Sequence, residues 1–334
     1  MRPLRIFAVL GAVALAWTAL PAGAEPPALR VPVDCTLGGT CTLQHYVDTA
    51  PDQRVRDYRC GRLSYQGHEG TDIRVPTVAE MHAGVPVIAA APGQVKAVRD
   101  GMPDAFKDQL TAETLADRDA GNGVLIAHGD GWVTQYSHLR LGSIAVQPGE
   151  RVAAGDRLGT IGLSGNTEFP HVEFEVRRDG TVVDPFTGAA KEAGCGADGR
   201  GLWTAEARER LAYETGGLLA AGFAAGTVSA REVVGQGVRA KPVTRDAEAV
   251  VFYALSYGLQ PGDRERVVLL GPDGTVLAED TNELTDHSAQ RIRYIGTRTE
   301  AGPARAYTAR YTVTRTGDGG RSTVVDVRRD LSVR

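Results

Sequence analysis

Between residues 61 and 186 the chain alternates short apolar runs with glycine-containing turns. Residues 85–91, 94–98, 123–127, 133–136 and 172–176 are runs of strand length, and Gly129-Asp130-Gly131 joins two of them as a hairpin. Runs this short, linked this tightly, predict antiparallel β-structure rather than βαβ units. A charged stretch at 99–120 interrupts the pattern. Within it, residues 104–116 predict a short helix, and loops of this length inside a domain often border a binding site. A solvated surface excursion is the other reading of the same stretch.

After residue 195 the pattern changes. Residues 203–213 predict one short helix with Thr204 as its N-cap, closed by Gly216-Gly217. Further on, the runs 250–257, 266–270 and 275–278 are separated by Gln260-Pro261-Gly262-Asp263 and Gly271-Pro272-Asp273-Gly274, both turn sequences. Over 305–313 the two faces separate cleanly. Tyr307, Ala309, Tyr311 and Val313 fall on one side, and Thr308, Arg310 and Thr312 on the other. The expectation is a mainly β protein: a lead-in at 25–60, an antiparallel domain at 61–195, a helical linker at 196–224 and a β-sandwich at 225–334.

The N-terminus changes the picture of where this happens. Arg2 and Arg5 precede an uncharged, mostly apolar run of 15 residues at 6–20 and then Pro21-Ala22-Gly23-Ala24. Basic start, apolar run and small-residue site together read as a secretory signal. The run is shorter than the roughly 20 residues a membrane span needs. The expected location is the periplasm or the exterior, with no stable membrane insertion once residues 1–24 are removed. That removal takes out two arginines and no acid, leaving 35 basic against 41 acidic side chains. A nucleic-acid partner, which calls for a concentrated basic face, is not expected. Cys35, Cys41, Cys60 and Cys195 are an even set in an oxidising compartment, which predicts two disulfides. Three pairings are possible. Cys35–Cys41 is favoured, because Gly38-Gly39 between them permits a tight reversal, and Cys60–Cys195 then clasps the ends of the central domain.

Candidate chemistry lies in three histidine-bearing segments. In Gly67-His68-Glu69-Gly70-Thr71-Asp72, a His and an Asp four apart can face the same way, and imidazole nitrogen with carboxylate oxygen is half of a zinc site. Thr134-Gln135-Tyr136-Ser137-His138-Leu139 closes a hairpin that begins at Gly121-Asn122-Gly123. In Pro170-His171-Val172-Glu173-Phe174-Glu175, strand spacing puts His171, Glu173 and Glu175 on one face and Val172 and Phe174 on the other.

Taken in order, these segments resemble the lysostaphin-like (LytM-type) zinc endopeptidases of peptidoglycan. The resemblance also draws on residues 83–90 with Pro92-Gly93-Gln94-Val95, on Gly121-Asn122-Gly123-Val124-Leu125-Ile126, on 146–155 and on Leu158-Gly159-Thr160-Ile161-Gly162. It covers roughly residues 61–186. It implies a domain of duplicated hybrid motif-like fold, one zinc ion, and peptidoglycan peptides as substrate. It makes His68 and Asp72 the first two metal ligands and His138 and His171 the catalytic histidines. The third ligand of the family is the second His of a His-x-His pair; here that position holds Glu173.

Zinc accepts carboxylate oxygen, so Glu173 can serve as the third ligand. Two carboxylates and one neutral imidazole would cancel the dication and weaken its polarising power. The substitution therefore leaves three readings open: an active zinc peptidase with a glutamate ligand, a weaker or differently metallated enzyme, and a degenerate wall-binding or activator module. Of the other histidines, His128 reads as structural, with a reserve role as ligand, and His45, His82 and His287 as surface or packing residues. Trp132 and Tyr136 fit either a substrate groove or the core.

Overall fold

The predicted strands form, and their order explains how distant segments meet. The computed structural model describes residues 25–197, 199–237, 241–299, 306–317 and 319–333. The signal expected at 1–24 lies outside these residues. Ten strands build the first half: β1 (Thr42–His45), β2 (Thr71–Arg74), β3 (Pro86–Ile88), β4 (Gly93–Arg99), β5 (Asn122–Gly129), β6 (Trp132–Leu139), β7 (Arg151–Val152), β8 (Arg157–Thr160), β9 (His171–Arg178) and β10 (Thr181–Val182). The main antiparallel sheet runs β1-β2-β9-β6-β5-β4-β7, with β10 paired to β9, while β3 and β8 form a separate pair.

One face of the sheet is apolar, as strand alternation requires. Ile73, Tyr136, Val172 and Phe174 are each fully buried there. Segments outside the strands complete this core. Leu29, Val31 and Val33 from the lead-in join it, as do Leu202, Trp203, Ala207 and Leu211 from the segment after Cys195. Trp132 and Tyr136 are core residues, not groove residues. The Tyr136 hydroxyl accepts the backbone N–H of Ala90 at 2.8 Å, and Trp132 packs beneath the Arg178 guanidinium. Both expected disulfides are formed, Cys35–Cys41 and Cys60–Cys195.

The linker differs from expectation. A helix spans Ala205–Arg210, and the Thr204 hydroxyl accepts from Ala207 N as an N-cap. However, Gly217–Ala224, within the expected linker, is strand β11 and pairs with the strand at Ala249–Leu259. Its sequence does not alternate because both faces are covered: Ala221 packs in the sandwich interior, and Leu219 and Ala224 pack in a second cluster outside it. The remaining strands are β12 (Ala249–Leu259), β13 (Arg264–Leu270), β14 (Val276–Glu283), β15 (Ser288–Arg298), β16 (Ala306–Gly317) and β17 (Gly320–Ser332). They form two sheets, β11-β12-β15 and β14-β13-β16-β17. Val250, Phe252 and Ala254 of one sheet meet Val267, Leu269, Tyr307, Ala309, Tyr311 and Val313 of the other in a shared core, which makes this half a β-sandwich. Among the described residues no helix is long and apolar enough to cross a membrane.

Candidate metal centre

The candidate residues gather because of strand register. His45 on β1 lies opposite Asp72 on β2, Asp72 lies opposite Glu173 on β9, and Glu173 lies opposite Ser137 on β6. Directly opposed residues share a face and sit about 4.5–5.5 Å apart at Cβ. Four neighbouring strands thus present one row of polar groups on the face away from the core. His171 precedes Glu173 by two residues and joins the same face. His68 lies in the turn that leads into β2.

His138 needs a local departure. Ser137 already faces the site, so simple alternation would send His138 the other way. Its backbone adopts φ 61°, which breaks the alternation. The ring then reaches Glu173, with Nε2 3.3 Å from Oε2. Two contacts hold this turn: His138 N donates to Ala120 O at 2.9 Å, and Nδ1 donates to Ser164 O at 2.7 Å. Gly121 makes that approach possible, since it has φ +60° and a Cβ there would lie 2.3 Å from Ser164 O.

Suitable ligand atoms of His68, Asp72 and Glu173 all lie within 4.8 Å of one another. His68 Nε2 stands 3.3 Å from Asp72 Oδ1, and His68 Nδ1 stands 3.3 Å from Glu173 Oε1. Gly70 gives Glu173 room to lie across this space, because a Cβ at Gly70 would meet Glu173 Cγ at 2.5 Å. His138 and His171 pack beside the cluster with ring centroids 4.5 Å apart and planes tilted by 38°. His171 Nδ1 donates to Phe169 O at 2.9 Å, and its Nε2 stands 3.5 Å from Asp72 Oδ1. Both catalytic candidates therefore spend Nδ1–H on a backbone carbonyl and turn Nε2 to the cluster, which fixes the tautomer.

The donor set fits a divalent cation. Both ring nitrogens of buried His68 and Oδ1 of buried Asp72 lack a hydrogen-bond partner among the described residues. Orphaned buried donors and acceptors are costly, and coordination would satisfy them. The electrostatics are those of a tight charge cluster. Burial opposes ionisation of Asp72, yet His68 and His171 hold it well below the ordinary carboxylate range. Burial also lowers His138, but the hydrogen bond and charge of Glu173 outweigh it and hold that imidazole above its ordinary range. In His171 burial wins: it is pushed down to about 4, against the opposing charge of Asp72 and with help from His138. Burial, then the charge of Glu173, pushes Glu175 up to about 7. Glu175 pairs with Arg177 and accepts from Gln135 Nε2 at 3.2 Å, so it leans away from the cluster into a polar network.

Two groups in this region were not singled out above. His45, read as a surface or packing residue, is buried, and its Nδ1 donates to Asp72 Oδ2 at 2.9 Å. It was hidden because β1 carries a bulge between Leu43 and His45, so Gln44 and His45 do not follow plain alternation. Tyr65 packs its ring 4.2 Å from that of His68 and lines the cavity over the cluster. His128, the reserve ligand, is elsewhere: its nitrogens contact Pro92 O at 2.7 Å and Thr134 Oγ1 at 2.8 Å. His82 is exposed on a short helix, Val78–Ala83.

The cavity that opens on Asp72, His138 and His171 has a volume of about 360 Å³. Residues 66–185 match the model of peptidase family M23. The chain is 34% identical over 119 residues to the cell division protein DipM of Caulobacter vibrioides, covering 36% of this chain and 16% of that protein. It is 31% identical over 117 residues to the peptidoglycan DD-endopeptidase ShyA of Vibrio cholerae, covering 35% of this chain and 22% of that one. Less than a quarter of each relative's length is thus shared. A solved structure, the catalytic domain of the prophage-encoded M23 protein EnpA from Enterococcus faecalis, aligns at 28% identity over 36% of this chain and 78% of that one, with TM-score 0.28. Residues 66–185, which span β2 to β10 and every candidate ligand, are a peptidase family M23 domain of the LytM type.

Proposed function

We propose that this protein is a zinc-dependent metalloendopeptidase that hydrolyses peptide bonds of peptidoglycan outside the cytoplasm. The observation that carries the reading is the convergence of His68, Asp72 and Glu173 within 4.8 Å, with buried ligand atoms left unpartnered beside the adjoining rings of His138 and His171. The peptidoglycan substrate is drawn from relatives named as DD-endopeptidases.

In this reading His68, Asp72 and Glu173 hold the ion. When bound, zinc supplies Lewis acidity and an acidified water at neutral pH. His138 and His171 do the proton work. Each keeps Nδ1–H on a backbone carbonyl, so each presents Nε2 toward the reacting peptide. One, as a neutral imidazole, accepts a proton at Nε2 from the attacking water, and the other, as an imidazolium carrying a second proton on Nε2, donates to the developing oxyanion. His45 holds Asp72 through Oδ2, which leaves Oδ1 for the ion.

Glu173 supports a second reading. Its carboxylate lies 3.3 Å from nitrogens of both His68 and His138, charge pairs that would balance the carboxylate without an ion if the imidazoles are protonated, as suits a non-catalytic wall-binding module. The two readings separate in one assay of the mature protein. The enzyme reading expects about one zinc per chain, and release of peptides from purified peptidoglycan that stops with chelator and with His138→Ala. An inert wild type that Glu173→His converts into a hydrolase sinks the first reading in favour of the second.

A further inference from the structure

The C-terminal sandwich reaches the cavity above the cluster. Ala289, the second residue of β15, lines the same cavity as Asp72, His138 and His171. Next to it, Gln290 Oε1 accepts a hydrogen bond from Arg74 Nη1 at 2.9 Å. Arg74 is fully buried on β2, two residues after Asp72 and opposite His171. Its guanidinium lies 4.2 Å from the centre of the Phe169 ring, and Phe169 also lines the cavity.

The contact extends to the loops on both sides of the opening. Phe106, from the charged stretch after β4, and Phe169 both pack on the apolar cluster formed by Leu219, Val233, Tyr253 and Leu255. Arg231 lies over the Phe106 ring and pairs with Asp108 at 3.1 Å. The sandwich half therefore touches the cavity wall itself and the two loops that shape its mouth.

We propose that the sandwich is the far wall of the substrate cleft, with Ala289 as the residue that sets its width. An open sheet face would admit a bulky, folded substrate from many directions. A cavity of about 360 Å³ walled by a second domain admits a short, extended peptide, since ligand pockets start at roughly 300 Å³. The methyl of Ala289 leaves that space free, and a large side chain there fills it. This inference deepens the hydrolase reading and rests on it for the nature of the peptide.

Ala289 is exposed, so enlarging it disturbs neither core nor ligands. The test uses the zinc-loaded full-length mature protein as wild type, Ala289→Trp and Ala289→Ser. Each is titrated with a muropeptide monomer and a cross-linked dimer, with hydrolysis, metal content and Tm read in parallel. The expected result is a rise of at least tenfold in Kd and KM for Ala289→Trp and a much smaller one for Ala289→Ser, graded with side-chain volume, with metal content and Tm unchanged in both. Binding by Ala289→Trp within twofold of wild type at equal metal content overturns the wall. If wild type binds peptide without cleaving it and Ala289→Trp still weakens binding, the wall stands and the hydrolase reading fails. A wild type that binds neither muropeptide overturns both.

Discussion

Asp72 is held differently at its two oxygens: Oδ2 accepts from His45 Nδ1 at 2.9 Å, while Oδ1 has no hydrogen-bond partner among the described residues. A group that orients a metal ligand contributes to affinity without touching the ion. His45→Ala is accordingly expected to weaken zinc binding by about 10–100-fold, measured by competition with a chromogenic chelator; affinity equal to wild type would remove His45 from the site. Most of this residue-scale picture was legible in the sequence. His171 and Glu173 are two apart in a strand, and that spacing alone puts them on one face. His45 was not legible, because a bulge set its direction and its partner lies 27 residues away. Nor was the φ of 61° at His138, which depends on how closely Gly121 and Ser164 can approach.

At the scale of elements, alternation was a reliable guide wherever one face met a core and the other met water or a polar site. Tyr307, Ala309, Tyr311 and Val313 on β16 are all buried, as their spacing required. β11 escaped notice because apolar groups cover both of its faces. The helix expected over 104–116 is only Ala112–Leu115, with a 3₁₀ turn at Lys107–Gln109. Its first backbone donors are used elsewhere: Ala105 N donates to Leu163 O and Lys107 N to Thr167 O. Those bonds anchor the stretch to the loop that carries Phe169. The Cys60–Cys195 bridge spans 135 residues and encloses every candidate ligand. Closing so long a loop restricts the unfolded chain, so replacing both cysteines by serine should cost about 2–5 kcal/mol. Denaturant unfolding of the double variant under oxidising conditions measures this, and an unchanged midpoint would contradict it.

For the whole molecule, the peptidase half was legible through its many short ordered motifs, whereas the packing of the two halves was not. Phe106 and Phe169 are isolated aromatics in loops, and no periodicity marks their partners. The stability of the assembled fold carries a pH signature. Burial pushes Asp184 up to about 6; its Oδ1 accepts from Phe186 N and Thr187 N, while Oδ2 has no partner among the described residues. Because the folded state holds this proton more tightly than the unfolded state, stability falls as pH rises from about 4 to 6, by on the order of 2–3 kcal/mol. Asp184→Asn removes that dependence, so its stability relative to wild type should climb across this window in urea melts; a flat difference would exclude the effect. The centre of the account is a divalent ion held by His68, Asp72 and Glu173, and the most direct measurement is zinc content per chain. It is taken after loading the mature protein and passing it through a desalting column, for wild type and for Glu173→Ala. The account predicts one zinc in the wild type and a marked loss in the variant. A wild type that emerges without zinc, or a variant that retains a full equivalent, would contradict it.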